Sequence, residues 1–164
     1  MNKLTPLVKG LITGLFMLLL TLLFYYGRFV SINVQYFVIY TVYATGIFWT
    51  LITYSKTPEY TGTFGELFGQ GFRCFIIVIL IMVAFTWIFS AIHPEFVKTD
   101  TAIYETYLKE TKIKDKTPGE IMEMVESYKK HYTTSLIYTA ILGYLISGAI
   151  FTAVGAGLLL MRRK

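Results

Sequence analysis

Residues 74–92 read CFIIVILIMVAFTWIFSAI, a run that contains no charged side chain and ends at His93 and Pro94. A run of about 18 or more apolar residues is long enough to cross the hydrocarbon core of a bilayer as an α-helix. The rest of the chain has a matching composition, because 55% of its 164 residues are hydrophobic and only 15% are charged. This composition is too apolar for an ordinary soluble domain and indicates a membrane protein.

Three further uncharged runs accompany this stretch, at residues 10–27, 30–54 and 133–161. The first is too long for the apolar part of a signal peptide, and no small-residue cleavage site follows it. The last would be roughly 43 Å long as one helix, so it must tilt or begin in the headgroup layer. We therefore predict an all-α, polytopic membrane protein, with four transmembrane helices in a single domain over residues 1–164.

Positive charges near the ends of the runs predict the orientation. Lys3 and Lys9 precede the first run, Lys56 and Arg73 lie in the connection between the second and third, and residues 162–164 end the chain as Arg-Arg-Lys. Short positively charged segments stay on the cytoplasmic side. Both termini are therefore expected in the cytoplasm.

The segment over residues 98–132 is the longest polar part of the chain, and its pattern predicts two helices outside the cytoplasm. Helical spacing gathers apolar side chains on one face of each helix, namely Ile103, Tyr104, Tyr107 and Leu108, then Ile121, Val125, Tyr128 and Tyr132. Thr117, Pro118 and Glu120 form a capping-box start for the second helix. The expected helical hairpin either packs on its own bundle or meets another membrane or periplasmic protein.

The cytoplasmic connection also contains a start signal. Thr63 and Glu66 form a second capping box, and Phe64, Leu67 and Phe68 follow with an apolar face. This pattern predicts a short helix at the inner interface, leading into the third span.

A stripe of polar side chains runs along the second span. Its members recur every three or four residues, which places them on one helical face: Asn33, Tyr36, Tyr40, Tyr43, Thr50 and Tyr54, with Ile47 between them. Hydroxyl groups are unfavourable against lipid, so the stripe should face other helices and bond across them. We favour helix packing as its role. A hydrated groove for a small polar or amphipathic ligand is the alternative.

Small residues at four-residue spacing predict close helix contacts. Gly10 and Gly14 form a GxxxG motif in the first span, and Ala149, Ala153 and Gly157 form a similar stripe in the fourth. Such stripes let two backbones approach closely. Packing within the monomer is the favoured use, and a homo-oligomer is the alternative.

Several site classes find little support in the residues. The Lys and Arg side chains that give the net charge of +5 lie at the ends of apolar runs, which argues against nucleic-acid binding. Cys74 is the single cysteine, and His93 and His131 have no clear third metal ligand. The interiors of the four runs hold no ionisable residue of the kind that proton or sodium coupling requires. We therefore expect no catalytic site, metal site or cofactor.

The chain resembles the domain of unknown function 4199 family. The resemblance lies in the stretches 63–73, 93–96 and 117–130, and in the last span with Gly148, Ala153 and Gly157 before the terminal Arg-Arg-Lys. It implies a small four-span protein of the inner membrane of Bacteroidota-type bacteria. It supplies no activity and no functional residues.

Two functions follow as hypotheses. The first is a non-enzymatic accessory, scaffold or interaction protein in the bilayer. The second is a small-solute or lipid-handling carrier or channel, lined by the stripe of the second span.

Overall fold

The structure is a computed structural model, and it describes residues 4–27, 31–110 and 117–162. These residues form five α-helices and no strand: α1 (Pro6–Gly27), α2 (Ile32–Ser55), α3 (Phe64–Ile92), α4 (Glu95–Glu110) and α5 (Pro118–Met161). The predicted all-α class is confirmed. Lys3, Arg28, Arg163 and Lys164 lie outside the described residues.

Four of the described helices are long and apolar enough to cross a membrane, namely α1, α2, α3 and α5. Helices satisfy their backbone hydrogen bonds internally, which a chain in hydrocarbon requires. The chain is therefore a multi-pass membrane protein. The remaining helix, α4, is polar and amphipathic.

The helices contribute to two compact units. The first contains α1, α2, α3 up to Ala84 and α5 from Ala140, and the second covers residues 85–139. We describe each unit by itself.

The first unit packs its helices through small residues and a few large side chains. A Cβ atom at Gly46 of α2 would overlap Thr13 of α1, so these two helices are in close contact there. The core around this contact is fully buried and includes Met17, Ile47, Leu51, Phe75 and Val78.

The second unit packs α4 on the first half of α5. The rings of Tyr104 and Tyr128 stack with centroids 4.3 Å apart, and the Tyr132 hydroxyl donates to the Asp100 carboxylate. Leu108 of α4 is also buried, at 3% exposure. These contacts hold α4 in a defined position on α5.

Helix α3 begins earlier than its apolar run. The Thr63 hydroxyl accepts from the Glu66 amide at 3.4 Å, as the predicted cap requires, while the Glu66 carboxylate accepts from the amide and hydroxyl of Thr61. The helix then continues from Phe64 to Ile92 without interruption. The short interfacial helix predicted here is the first part of α3, because no proline separates the two and the helix continues through Gly69 and Gly71.

Helix α5 also joins two predicted elements. The reciprocal capping box is confirmed, since the Glu120 amide donates to the Thr117 hydroxyl at 3.4 Å and the Thr117 amide donates to the Glu120 carboxylate at 2.7 Å. From Pro118 the helix runs 44 residues to Met161, which is roughly 66 Å at 1.5 Å per residue. The predicted outer helix and the span from 133 are thus one helix. A change from polar to apolar side chains does not end a helix when no proline or glycine accompanies it.

The cap at Thr117 should contribute to the local stability of the first turn of α5. Replacing Thr117 by Ala removes the hydroxyl that accepts from the Glu120 amide, and lost N-caps cost about 1 kcal/mol. Amide hydrogen exchange at residues 119–121 should therefore quicken about fivefold.

The control for this variant is Thr134→Ala, an exposed threonine within the same helix. It should leave exchange at residues 119–121 unchanged. Equal exchange in Thr117→Ala and the parent protein would contradict a stabilising role for the cap.

Candidate functional site

The middle of the α2 stripe lies in a tightly packed seam against α5. Tyr43 is fully buried, and its hydroxyl donates to the backbone carbonyl of Tyr144 at 3.0 Å. Its ring meets Tyr144 and Phe151 edge to face, with centroids 5.7 and 6.1 Å away. A Cβ atom at Gly148 would overlap the Tyr43 hydroxyl. The Tyr43 side chain therefore fills the space that this glycine leaves on α5.

The neighbouring members of the stripe continue this seam. The Tyr40 ring lies 5.8 Å from that of Tyr144, and Thr50 is fully buried with its hydroxyl donating to the Gly46 carbonyl at 3.0 Å. Tyr54, at the end of α2, packs its ring against Tyr60 at 5.7 Å. Of these contacts, the Tyr40 ring joins α2 to α5, whereas the Thr50 bond lies within α2 and Tyr54 packs on the connection that follows α2.

The other end of the stripe is arranged differently. Asn33 and Tyr36 are exposed, and Tyr36 keeps 60% of its surface accessible. The six polar residues thus share a helical face without sharing one environment. The structure brings Tyr40, Tyr43 and Thr50 into the first unit and leaves Asn33 and Tyr36 at its surface.

The small residues of α1 lie where α1 meets α3. A Cβ atom at Gly10 would overlap the Cys74 carbonyl, and one at Gly14 would come within 2.6 Å of Ile81. Both positions therefore permit a close approach between the two helices.

The close approaches of α5 use neighbours of the predicted small residues. Added Cβ atoms would overlap neighbouring helices at Gly148 and Gly155, whereas at Gly157 nothing lies within 4 Å of one. Ala149, Ala153 and Gly157 are partly exposed, and the buried positions are Gly148, Thr152, Gly155 and Ala156. The α5 seam is therefore shifted by about one residue, because the Tyr43 and Phe48 side chains insert at Gly148 and Gly155.

The two histidines have separate local partners. His93 Nδ1 lies 2.6 Å from a carboxylate oxygen of Glu95, and His131 Nδ1 lies 2.9 Å from the Ser127 carbonyl. The Glu95 amide and then the His93 ring hold the pKa of the Glu95 carboxyl below its ordinary value. This pair closes the turn between α3 and α4. Within the described residues, no three His, Cys, Asp or Glu side chains are placed to hold a metal ion.

Lys9 is the residue that sequence reasoning placed differently. The sequence predicts a charged flank of the first span at Lys9, but the residue lies inside α1 and is only 4% exposed. Its ammonium group lies 5.4 Å from the centre of the Trp49 ring, a cation–π distance. The signal in the sequence is its register, since Lys9 precedes Thr13 and Met17 at four-residue spacing and so shares their buried face.

A cavity of about 250 Å³ adjoins Lys9 at this end of α1 and α2. We call it the polar cavity, and its polar lining includes Lys9, Thr53, Tyr54, Thr57, Glu59 and Gln70. Further along the same pair of helices lies a second cavity of about 290 Å³. We call it the apolar cavity, and its lining includes Ile12, Phe16, Val42, Thr45, Gly46 and Trp49.

Comparison with known proteins identifies a family. The family model described as "Protein of unknown function (DUF4199)" matches residues 9–162, a range that begins in α1 and ends just after α5. No curated protein and no solved structure matches the chain. Because the family model covers nearly the whole sequence, the resemblance seen in the residues is confirmed, and the chain belongs to the DUF4199 family of proteins of unknown function.

Proposed function

We propose that this chain is a non-enzymatic, accessory or scaffold protein of the bacterial inner membrane, which binds another membrane or periplasmic protein through α4. The observation that carries the proposal is an exposed apolar pair on a helix whose other face is packed. Ile103 is 62% exposed and Tyr107 is 59% exposed. They lie four residues apart, so they form one continuous patch.

The patch lies on a helix that side-chain contacts attach to α5, which favours recognition. Next to the patch in the sequence, Leu108 is buried inside the second unit and Tyr104 stacks on Tyr128 of α5. A surface that is already ordered loses little conformational entropy on binding. The patch therefore meets a physical requirement of a docking surface.

The chemistry of the patch favours a protein over a lipid headgroup as its occupant. Its neighbours on α4 are Thr99, Ala102 and Thr106, which are exposed and uncharged. Helices that lie on anionic lipid usually carry Lys or Arg around their apolar face. An isoleucine and a tyrosine among small uncharged residues suit the apolar core of a protein interface.

The buried part of the α2 stripe supports this reading over the carrier hypothesis. Tyr43 is occupied by its bond to Tyr144 and by aromatic contacts on α5. A side chain used in this way supports helix packing. The carrier alternative needs the same hydroxyls to line a hydrated path.

The proposed orientation places Lys56 in the cytoplasm and α4 on the opposite side. Both Lys56 and Lys98 are exposed, whereas the native Cys74 is fully buried. In intact spheroplasts, a membrane-impermeant maleimide should therefore label Lys98→Cys and spare Lys56→Cys. The parent protein serves as the control for Cys74. Labelling of both variants, or of Lys56→Cys alone, would contradict the orientation.

The docking proposal predicts position-dependent crosslinking. A photoreactive benzophenone side chain placed at Tyr107 should form a protein adduct in native membranes, and the same group at the exposed Lys98, on the opposite side of α4, should not. Adding Ile103→Gln should reduce the Tyr107 adduct severalfold, because it removes half of the apolar patch. Thermal unfolding should stay unchanged, since Ile103 is already largely exposed. Adducts with lipid alone, or equal adducts from both positions, would contradict the proposal.

The packing role of the stripe predicts unequal effects of removing its hydroxyls. Tyr43→Phe deletes the bond to Tyr144 and should cost about 0.6 kcal/mol, with about 1.7 kcal/mol as the upper end for such bonds in membranes. Tyr36→Phe, at the exposed end, should change thermal stability in detergent very little. The triple variant of Tyr36, Tyr40 and Tyr43 should remain folded. If the triple variant kept its stability but lost solute transport, the carrier hypothesis would be favoured, because an apolar lining closes a narrow path to polar solutes.

A further inference from the structure

Lys9 is an unusual lysine for a membrane protein. Interfacial lysines normally extend their ammonium groups into water or toward headgroups at the surface. Lys9 is instead 4% exposed, while Lys56, at the end of α2, is exposed. Among the described residues, no hydrogen-bond acceptor or carboxylate partner lies within bonding distance of the Lys9 ammonium group. A nearly buried charge without such a partner is costly, which points to an anion from outside the chain.

The polar cavity beside Lys9 is suited to a phosphate group. Tyr54 and Gln70 line it together with Lys9, so three side chains that carry hydrogen-bond donors border one space. The first turn of α1 is also part of the wall, through Thr5 and Pro6. Helix N-termini favour negative charge, so this turn adds to the attraction that the ammonium group supplies.

The apolar cavity beyond it is suited to a hydrocarbon chain. Its larger side chains include Ile12, Phe16 and Val42, and Trp49 lies on its wall next to Lys9. Its threonines offer no free donor, since Thr13, Thr41 and Thr45 each donate to a carbonyl of their own helix. The threonines of this cavity therefore need no polar group of a ligand to complete their hydrogen bonds.

The two cavities follow each other along the α1–α2 pair. Lys9 and Thr50 border the polar cavity, and one turn further along, Thr13 and Gly46 border the apolar cavity. The order is a cationic pocket at the end of two spans and then an apolar groove toward their middle. A phospholipid has this same order of phosphate and acyl chain.

We propose that the α1–α2 groove is a phospholipid-binding site, with the lipid phosphate on Lys9 in the polar cavity and one acyl chain in the apolar cavity. Glu59 also lines the polar cavity and forms no ion pair with Lys9. The site thus holds one cation and one carboxylate, which matches a headgroup that carries phosphate and ammonium. Phosphatidylethanolamine is the probe of this class.

The main test is lipid binding by purified, delipidated full-length protein in mild detergent, followed by native mass spectrometry. Phosphatidylethanolamine should bind to the parent protein and to Lys9→Arg, and about tenfold more weakly to Lys9→Gln, because a charged hydrogen bond is lost. Lys56→Gln is the matched control, since it removes one exposed positive charge near the same end of α2. It should bind like the parent. Equal binding by Lys9→Gln and the parent would overturn the site.

A second variant tests the apolar cavity separately. Thr45 is exposed on its wall, so Thr45→Trp should fill the cavity and weaken lipid binding while Lys9 stays intact. Free phosphoethanolamine and inorganic phosphate should compete poorly, because they lack the acyl chain. Full competition by either at the lipid's own concentration would overturn the lipid assignment in favour of a soluble phosphate-bearing ligand. Equal or tighter binding of phosphatidylglycerol would overturn the assignment of the headgroup.

A measurement on the unaltered protein covers the case in which a variant does not fold. Phosphatidylethanolamine with a photoreactive diazirine in its acyl chain should crosslink to peptides that contain residues 12–16 or 42–49. Crosslinks spread evenly over the lipid-facing surfaces of α1, α2, α3 and α5 would overturn the proposal.

Discussion

Hydrocarbon offers no hydrogen bonds, and this constraint governs the rest of the structure. Each backbone amide and carbonyl within a span must be satisfied by its own helix. The same constraint governs the hydroxyl groups of the spans. Thr13, Thr21, Thr41, Thr45 and Thr50 each donate to the carbonyl four residues earlier in the chain. These five threonine hydroxyls are therefore already satisfied, and their presence on a helical face is weak evidence for a polar path. The polar side chains that indicate a helix contact or a ligand are those whose hydrogen bonds their own helix does not supply.

Tyr43 and Lys9 of the first unit both carry a polar group that their own helix does not satisfy, and they differ in where the partner lies. The Tyr43 hydroxyl finds its acceptor on α5, at the Tyr144 carbonyl, and the small surface of Gly148 admits its ring. The Lys9 ammonium group has the Trp49 ring beside it and a cavity in front of it. The first arrangement is complete within the protein and explains a packing seam. The second is complete only when an anion is supplied.

The sequence predicted the elements of the fold better than their limits. Hydropathy located the helices that are able to cross a membrane, and the capping boxes at Thr63 and Thr117 located the starts of α3 and α5, because caps are local. The continuity of α5 through residue 133 was missed, since the pattern there changes in polarity and not in backbone preference. The seam of α5 was shifted by about one residue because small side chains occupy several neighbouring stripes. Which stripe packs depends on where Tyr43 and Phe48 of another helix insert, and a single helix does not contain that information.

Lys9 shows the same limit of sequence-based prediction in the candidate site. A lysine one residue before an apolar run ordinarily flanks the transmembrane span and indicates its orientation. The side chain of such a lysine is expected to be exposed to solvent. Here the helix begins at Pro6, three residues before Lys9, so the lysine has a fixed position on a helical face. That face also carries Gly10, Thr13 and Met17, which are buried, and the Lys9 side chain is buried with them. The position of a lysine on its helical face therefore decides whether its charge only marks the orientation of the span or is available to bind a ligand. Tyr43 contacts α5 and lines neither cavity of the α1–α2 groove, whereas Thr50 and Tyr54 of the same stripe line the polar cavity. Removal of the Tyr43 hydroxyl therefore affects the contact between α2 and α5, and removal of the Lys9 charge affects the groove between α1 and α2.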